Sequence, residues 1–287
     1  MNLYKIIFAL LFSFSFGLCA AQEDLLKELD ADSISKKEIE TAAFKGLQIC
    51  TMQSTKLASK GEWYFLVAHR FGDLTEGFDN FFGLDNALTK IGGLYGVTNW
   101  LTFGLSRQTL NKTYELTAKY RFASQEVDGF PVTIVGYNTM DINSQLSDDE
   151  FPELQAVNRF AFSTQLPISR KFSNSLSAEL NPIYVHKNLY EPLYEDANNF
   201  LLGLGARYKV SKRISLNMEY AFRLNATETS LYHNPATIGL DIETGGHVFQ
   251  LLFSNSQAMN DVRYFTNATG LSDGKGIYFG FNLYRVF

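Results

Sequence analysis

Apolar and polar residues alternate along most of the chain from residue 44 onward. In KTYELTAKYRF, Leu116 and Tyr120 fall on one face of an extended strand, whereas Glu115, Lys119 and Arg121 fall on the other. The stretches NFLLGLGARYK and RISLNMEYAFR repeat this pattern. Because successive side chains of a strand point to opposite faces, each stretch predicts a strand with one apolar and one charged face.

These alternating stretches are long for a soluble β-sandwich. They run about ten residues, enough to cross a bilayer at a tilt, whereas soluble strands average about five or six. Aromatic residues such as Trp63, Trp100 and Tyr208 lie near their ends, as in the girdles of membrane barrels. No apolar run after residue 21 is long enough for a membrane helix. We therefore predict an all-β fold, a transmembrane antiparallel β-barrel of about 12 strands. The predicted strands are 61–71, 88–97, 99–108, 112–124, 130–140, 156–166, 175–187, 199–210, 213–224, 244–255, 261–268 and 276–287.

The lengths of the connections predict the orientation of the barrel. Short polar turns such as YGVTNWL and YKVSKRISL are typical of the periplasmic side, and long loops face outside. With twelve strands, both ends of the chain are periplasmic. The segment FKGLQICTMQS, 44–54, also reads as a strand, but a thirteenth crossing would move the amino terminus outside. We therefore expect it to lie in the lumen or to cross only partly. The segments expected outside are 72–87, 141–155, 189–199, 224–243 and 269–275.

The amino terminus reads as an export signal. A lysine precedes an apolar run, and small residues follow, which is the pattern of a secretory signal peptide. We predict a cleaved signal peptide at 1–21, a charged periplasmic leader at 22–43 and the barrel at 44–287. Cleavage leaves Cys50 as the single cysteine, so no internal disulfide is expected. The formal net charge of −5 gives no indication of a nucleic-acid partner.

The carboxyl terminus, GIYFGFNLYRVF, alternates up to its last residue, Phe287. It resembles the terminal strand through which outer-membrane barrels are read by the assembly machinery, and it departs from that pattern at Arg285. The expected partners are outer-membrane lipid and this machinery, contacted through the strand ending at Phe287. The expected location is the cell outer membrane.

Three stretches carry a family resemblance: HRFGDLTEGFDNFFGLDNA, then YGVTNWLTFGLSRQTLNKTYELTAKYRFASQ, and the ending GFNLYRVF. Together they resemble a family of exported β-barrel proteins of Gram-negative bacteria whose role is unassigned. The resemblance is best over residues 44–125 and at the carboxyl terminus, whereas the middle third shares only the alternation. It implies a membrane barrel and supplies no catalytic or cofactor-binding residues.

Charged residues recur on the predicted lumen face. Rings of such side chains tune the ion and solute selectivity of channels. Opposite charges can equally pair across strands and fill a narrow barrel. The sequence therefore leaves two functions open: a passive channel or solute-binding barrel for small solutes, and a non-transporting structural or adhesion barrel that binds a partner through its outer loops. The residues of this face are Glu115, Lys119, Arg121, Arg159, Glu179, Arg207, Lys209, Glu219 and Arg223.

The stretch HRFGDLTEGFDNFFGLDNA, 69–87, has the composition of an active-site or metal-site loop. A histidine with carboxylates can bind a divalent metal, but loop spacing fixes no ligand geometry. Its glycines and phenylalanines are also those of a packed outer loop, in which His69 ends a strand and Arg70 pairs with Asp85 to pin the loop or let it gate the mouth. The four histidines are scattered and no G-x-S-x-G element occurs, so we expect no enzyme, cofactor or metal site.

Overall fold

The computed structural model describes residues 38–146, 152–245, 247–270 and 274–287. Within them, Ile39–Phe287 form one compact unit. The predicted signal peptide and the leader up to residue 37 lie outside the described residues.

Thirteen strands of the described chain form one antiparallel sheet that closes on itself. The first strand pairs with the last, and the fourth strand pairs with the fifth, so that no edge of the sheet is left open. The sixth and seventh strands both lie between the fifth and the eighth, so they share one position in a twelve-position wall. The prediction of a barrel of about twelve strands is confirmed. The strands are β1 (Trp63–Asp73), β2 (Leu88–Thr98), β3 (Leu101–Gln108), β4 (Thr113–Ala123), β5 (Thr133–Asn143), β6 (Phe160–Gln165), β7 (Ile168–Lys171), β8 (Leu176–Lys187), β9 (Asn198–Lys209), β10 (Ile214–Arg223), β11 (Ala236–Thr244), β12 (His247–Ser254) and β13 (Tyr278–Val286).

The break between β6 and β7 occurs at Pro167, which has no N–H to donate to a neighbouring strand. The backbone stays joined to both neighbours across the break. Val135 N donates to Pro167 O at 3.0 Å, and Leu166 N donates to Pro182 O at 3.0 Å. The sequence predicted a strand ending at residue 166, whereas the wall continues to Lys171.

The wall is apolar outside and polar inside. Along β4, Leu116 and Phe122 are 41% and 64% exposed, whereas Glu115 and Lys119 are 3% and 2% exposed. This order is the reverse of a soluble protein and is the one that lipid requires. Near the short turns, Trp63 lies on the outer face and packs against Tyr95 with ring centroids 4.7 Å apart.

Long and short connections lie at opposite ends of the barrel. We call one the long-loop end; the described parts of its connections are 74–87, 109–112, 144–146, 152–159, 188–197, 224–235, 255–270 and 274–277. The other is the short-turn end, with the described connections 99–100, 124–132, 172–175, 210–213 and 245.

Two predicted elements of the wall are wrong. The predicted loop 224–243 contains most of β11, in which Ile238 faces outward and Asp241 inward. The predicted strand 261–268 is instead the helix α1 (Asp261–Thr266). α1 begins after Asn260 and lies inside the wall, where it meets no lipid and pairs with no strand. Among the described residues, no helix is long and apolar enough to cross a membrane.

Candidate functional site

Two segments fill the interior of the barrel. The first, residues 43–58, precedes β1 and is called the plug. The second, residues 255–268, includes α1 and is called the inward loop. Most of their residues are buried. Apolar residues of the wall join both segments in two clusters: Ala43, Phe44, Ile49, Cys50, Met52, Ile183, Val185, Leu201, Ala221, Leu252, Val262, Tyr264 and Phe265 in one, and Leu47, Ala58, Tyr64, Leu66, Ala68, Met259 and Tyr284 in the other.

The plug is not a strand of the barrel. Its backbone folds on itself in a tight turn, in which Ile49 N donates to Met52 O at 2.8 Å and Ser54 N donates to Leu47 O at 3.1 Å. The expectation that 44–54 is a strand is therefore wrong, although the segment does lie in the lumen. Residues 59–62 lead directly from the plug into β1.

Glu219 of β10 holds the tip of this turn. Its carboxylate accepts the backbone N–H groups of Cys50, Thr51 and Met52 at 2.9, 2.8 and 3.0 Å. The hydroxyl of Tyr264, on α1, donates to the same carboxylate at 2.8 Å. Successive N–H groups that point one way form an anion-binding concavity, and here the anion is a side chain of the wall.

Lys119 of β4 holds the two arms of the turn. Its Nζ donates to Leu47 O at 2.8 Å, Ser54 O at 3.1 Å and Lys56 O at 3.3 Å. The ammonium also lies 5.3 Å from the centroid of the Tyr137 ring. The ammonium loses its water on burial, and these three carbonyl oxygens take the place of the lost water.

Amide side chains of the wall satisfy the remaining main-chain groups at the tip. Asn282 Nδ2 donates to Cys50 O at 2.7 Å, and Gln250 Nε2 donates to Ile49 O at 2.8 Å. Asn217 Nδ2 donates to the same oxygen of Ile49 at 3.2 Å. The wall therefore recognises the plug mainly through its backbone.

Glycines of the wall make room for plug side chains. A Cβ on Gly205 would lie 2.2 Å from Ile49 Cδ1, and one on Gly239 would lie 2.7 Å from Cys50 Sγ. Both glycines face inward, so a larger residue at either position would overlap the plug.

The inward loop is bound to the wall by polar contacts. Asp261 accepts from Gln165 Nε2 at 2.5 Å and, more weakly, from Gln53 Nε2 of the plug at 3.5 Å. Lys90 Nζ donates to Met259 O at 3.0 Å. α1 thus bonds to the plug through Asp261 and, through Tyr264, to the carboxylate of Glu219 that holds the plug.

Burial and neighbouring charges shift the pKa of groups on the two inserts. Burial raises the pKa of the Cys50 thiol, so the thiol stays protonated in the plug. Burial raises the pKa of Asp261 to about 7, with a further contribution from the charge of Glu115 and partial opposition from Lys90. Neither group is exposed to solvent in this closed arrangement.

The nine charged residues predicted on the lumen face divide into two groups. Glu115, Lys119, Glu179, Arg207 and Glu219 are buried and inward; Arg121, Arg159, Lys209 and Arg223 are half-buried. Arg159 ends a 3-10 turn at the long-loop end, and Arg223 donates to Tyr232 O at 2.6 Å in a long loop.

Among the described residues, sequence reasoning missed six further buried charges: Lys90, Asp141, Lys187, Glu195, Asp241 and Asp261. Lys90 forms an ion pair with Glu115 at 2.8 Å. Lys90 could have been predicted to face the lumen, because it precedes the apolar, outward-facing Ile91 in the strand. Asp241 and Asp261 were hidden because their elements were assigned wrongly.

Arg70 does not pair with Asp85. Its guanidinium turns into the lumen, donating to Asn282 Oδ1 at 2.9 Å and to Thr51 Oγ1 at 3.4 Å, and it is 1% exposed. Asp85 is exposed in the loop. The strand parity that turns His69 outward necessarily turns Arg70 inward.

His69 and the loop after β1 are held in other ways. His69 Nδ1 is 2.9 Å from Thr89 Oγ1, and its ring stacks on Phe281 with centroids 5.5 Å apart. The loop is tied by Asp73, whose carboxylate accepts the backbone N–H groups of Gly276 and Ile277 at 2.8 and 3.1 Å. Within the described residues no group of three or more His, Cys, Asp or Glu could hold a metal ion.

The large concavities of the molecule lie on the outer face of the wall. Those of 840 and 540 Å³ are lined by outward apolar residues such as Phe103, Leu116 and Phe253, and acyl chains would cover them in a bilayer. Beside the plug, the space lined by Leu47, Gln53 and other residues measures 30 Å³. Such a space holds about one or two water molecules.

Comparison with known proteins agrees with this architecture. The family model described as "Membrane bound beta barrel domain (DUF5777)" matches residues 44–287. No curated protein matches the chain. The KdgM porin is a similar solved structure, with 10% identity, TM-score 0.50, and 78% of this chain and 99% of that chain covered. The NanC porin has 8% identity, TM-score 0.51, and 77% and 98% covered. At these identities the likeness concerns the fold.

Proposed function

The chain belongs to the family of membrane-bound β-barrel domains, and we propose that it is an outer-membrane channel closed by its own plug. Small solutes pass while the plug is displaced. One observation carries this proposal: every position of the wall pairs with two wall neighbours, and the plug pairs with none of the strands. Removing the plug from the lumen therefore breaks no strand pairing of the barrel.

The contacts that close the channel are numerous but individually modest. A hydrogen bond contributes about 0.5–1.5 kcal/mol net, and one to a charged group about 1.5–3 kcal/mol. Glu219 and Lys119 exchange their plug contacts for water when the lumen fills. The cost of displacement is then much smaller than the sum of the bonds broken.

The lumen charges have a second role in the open state. Once the plug leaves, Lys119, Glu219 and Arg70 line a water-filled passage, where fixed charges select among ions and solutes. The same residues that hold the plug by its backbone thus become the selectivity-determining residues of the channel.

A disulfide between plug and wall tests this function. Gly239→Cys places a Cβ 2.7 Å from Cys50 Sγ, close enough for a cross-link after oxidation. In planar bilayers, the oxidised variant should stay silent and the reduced variant should show discrete conductance steps. Gly239→Ser, treated identically, is the control and should conduct under both conditions. Equal conductance of the oxidised and reduced forms, with the cross-link verified by mass spectrometry, would refute the plugged channel. A wild type that never conducts would also refute it.

A second function has an observation of its own. In the loop after β1, Phe78 is 81% exposed and Phe82 packs against it with centroids 4.8 Å apart. Phe81 and Phe82 adopt positive φ angles of 49° and 55°, a conformation that non-glycine residues rarely take. Exposed aromatic residues on a strained loop favour an adhesion barrel. Cells that adhere to one another settle out of suspension. If adhesion is the function, replacing Phe78, Phe81 and Phe82 by Ser should abolish this settling in cells that carry the protein and leave the conductance of the barrel unchanged.

A further inference from the structure

A polar cavity of 370 Å³ lies at the long-loop end, between the inward loop and the wall. Its size falls within the range of about 300–1,000 Å³ that small-molecule sites occupy. Unlike the outer concavities, it is lined by polar side chains. They come from strand ends, from residues 158–159, from the loops 188–197 and 224–235, and from the inward loop. No residue of the plug lines this cavity, so a solute can enter it while the channel is closed.

Most charges that line the cavity are already compensated. Lys187 Nζ and Glu195 Oε1 form an ion pair at 2.7 Å, and Asn267 Nδ2 donates to the same carboxylate at 2.5 Å. Asp141 accepts a hydrogen bond from Asn260. Glu191, at the rim, is exposed. These groups have partners or water, except for Oδ1 of Asp141, which is buried without a partner, and none of them requires an anion.

Arg263, on α1, is the exception. Its guanidinium makes no hydrogen bond or ion pair with any residue that the structure describes, although the side chain is only half-exposed. Burial lowers the pKa of this guanidinium, and the nearby Tyr232, Glu195 and Asp141 offset part of the effect without bonding to it. A partly desolvated cation with no anion in direct contact is costly. A bound anion would remove that cost.

We infer that this cavity binds a small hydroxylated carboxylate, with Arg263 recognising the carboxylate. The guanidinium fork matches a carboxylate in two parallel hydrogen bonds. Around it, the side chains of Asn143, Tyr190 and Tyr232 supply amide and phenol groups suited to hydroxyls. This inference deepens the proposed function, on which it rests for its biological role, by naming the solute class at the outer mouth. The binding event itself needs no open channel.

Glucuronate and glucose are a matched pair of probes, because they share a ring and differ by one carboxylate. Isothermal titration of the purified barrel in detergent should show glucuronate binding at least about tenfold more tightly than glucose, the effect of one charged hydrogen-bonding partner. Arg263→Gln should remove this preference, and Arg263→Lys should restore part of it. Arg213→Gln, at an exposed turn of the short-turn end, removes the same charge and should leave the preference intact.

Equal affinity for the two probes would overturn the inference, as would a preference that survives Arg263→Gln. If Arg263→Gln does not fold, the comparison of the two probes on the wild type still decides. The oxidised Gly239→Cys protein separates this inference from the channel. Binding without any conductance in the reduced form would leave the site standing and refute the channel. Conductance without a preference for glucuronate would support the channel and refute the binding site.

Discussion

Glu219 and Lys119 hold the plug through main-chain atoms, one as acceptor and one as donor. Three N–H groups point at Glu219, and three carbonyl oxygens point at Lys119. Substituting plug side chains would leave these six bonds in place. The identity of the wall residue therefore matters more for closure than the identity of the plug residue opposite it.

Glu219→Gln should loosen the plug. A Gln side chain has one acceptor oxygen and an NH₂ that faces the N–H groups of the turn, at a cost of about 1–3 kcal/mol for groups left unpaired. Cys50, buried at 0% exposure, reports the change. Its labelling by a maleimide should accelerate about tenfold or more. Glu153→Gln, at an exposed loop position, is the control. Unchanged labelling would show that Glu219 does not hold the plug.

The sequence could place Glu219 and Lys119 on the lumen face but could not reveal what they bind. Alternation along a strand fixes which way a side chain points. The contact from Cys50 to Glu219 spans 169 positions in the chain, and no local pattern announces it. The same alternation along β1 turns Arg70 into the lumen, and this contradicts the expected pairing of Arg70 with Asp85 in the loop.

At the scale of elements, the glycine-rich face of β9 matches the plug. Gly205→Val should overpack the lumen, because its Cβ would meet Ile49 Cδ1 at 2.2 Å. Overpacking costs about 1–3 kcal/mol, and displacement of the plug relieves it. We expect more frequent openings in planar bilayers. Gly93→Val, on the open outer face of β2, should leave the openings unchanged. Equal opening frequencies of Gly205→Val and Gly93→Val would contradict the proposed fit between β9 and the plug.

The inward loop makes closure sensitive to pH through Asp261. Its pKa is raised from 3.8 to about 7 in the closed state. We expect it to return to the ordinary value when displacement of the plug admits water. A raised pKa penalises the charged form, so the penalty on closure is full above the raised value and disappears toward pH 3.8. Open probability should therefore fall from about pH 8 to about pH 6, and Asp261→Asn should reduce this dependence. An unaltered pH profile in that variant would exclude Asp261.

Elements were predicted well where lipid dictated the pattern and poorly inside the lumen. The stretch FKGLQICTMQS alternates like a strand, but no neighbour strand is free to pair with it. The stretch DVRYFT forms α1 for the same reason: inside a closed wall its backbone must satisfy its own hydrogen bonds. β11 was missed because acidic and Asn-rich neighbours obscured its alternation.

The whole molecule depends on its lipid-facing surface. Leu116→Arg puts a charge near the middle of β4, on the outer face, and should cost about 2–4 kcal/mol of folding free energy in a bilayer. Leu193→Arg, in a long loop and 56% exposed, should cost almost nothing. Urea unfolding in lipid vesicles measures the difference. Equal stabilities would place the barrel outside the membrane.

Residues 59–62 tether the plug to β1, and this short tether limits how far the plug can travel. Fully extended, they span about 14 Å, so a displaced plug remains at the mouth of the barrel. Recapture is then an intramolecular reaction, with an effective concentration in the millimolar range for a short linker. Individual openings should accordingly be brief and frequent. Inserting a flexible segment within 59–62 should lengthen them while leaving every plug contact unchanged.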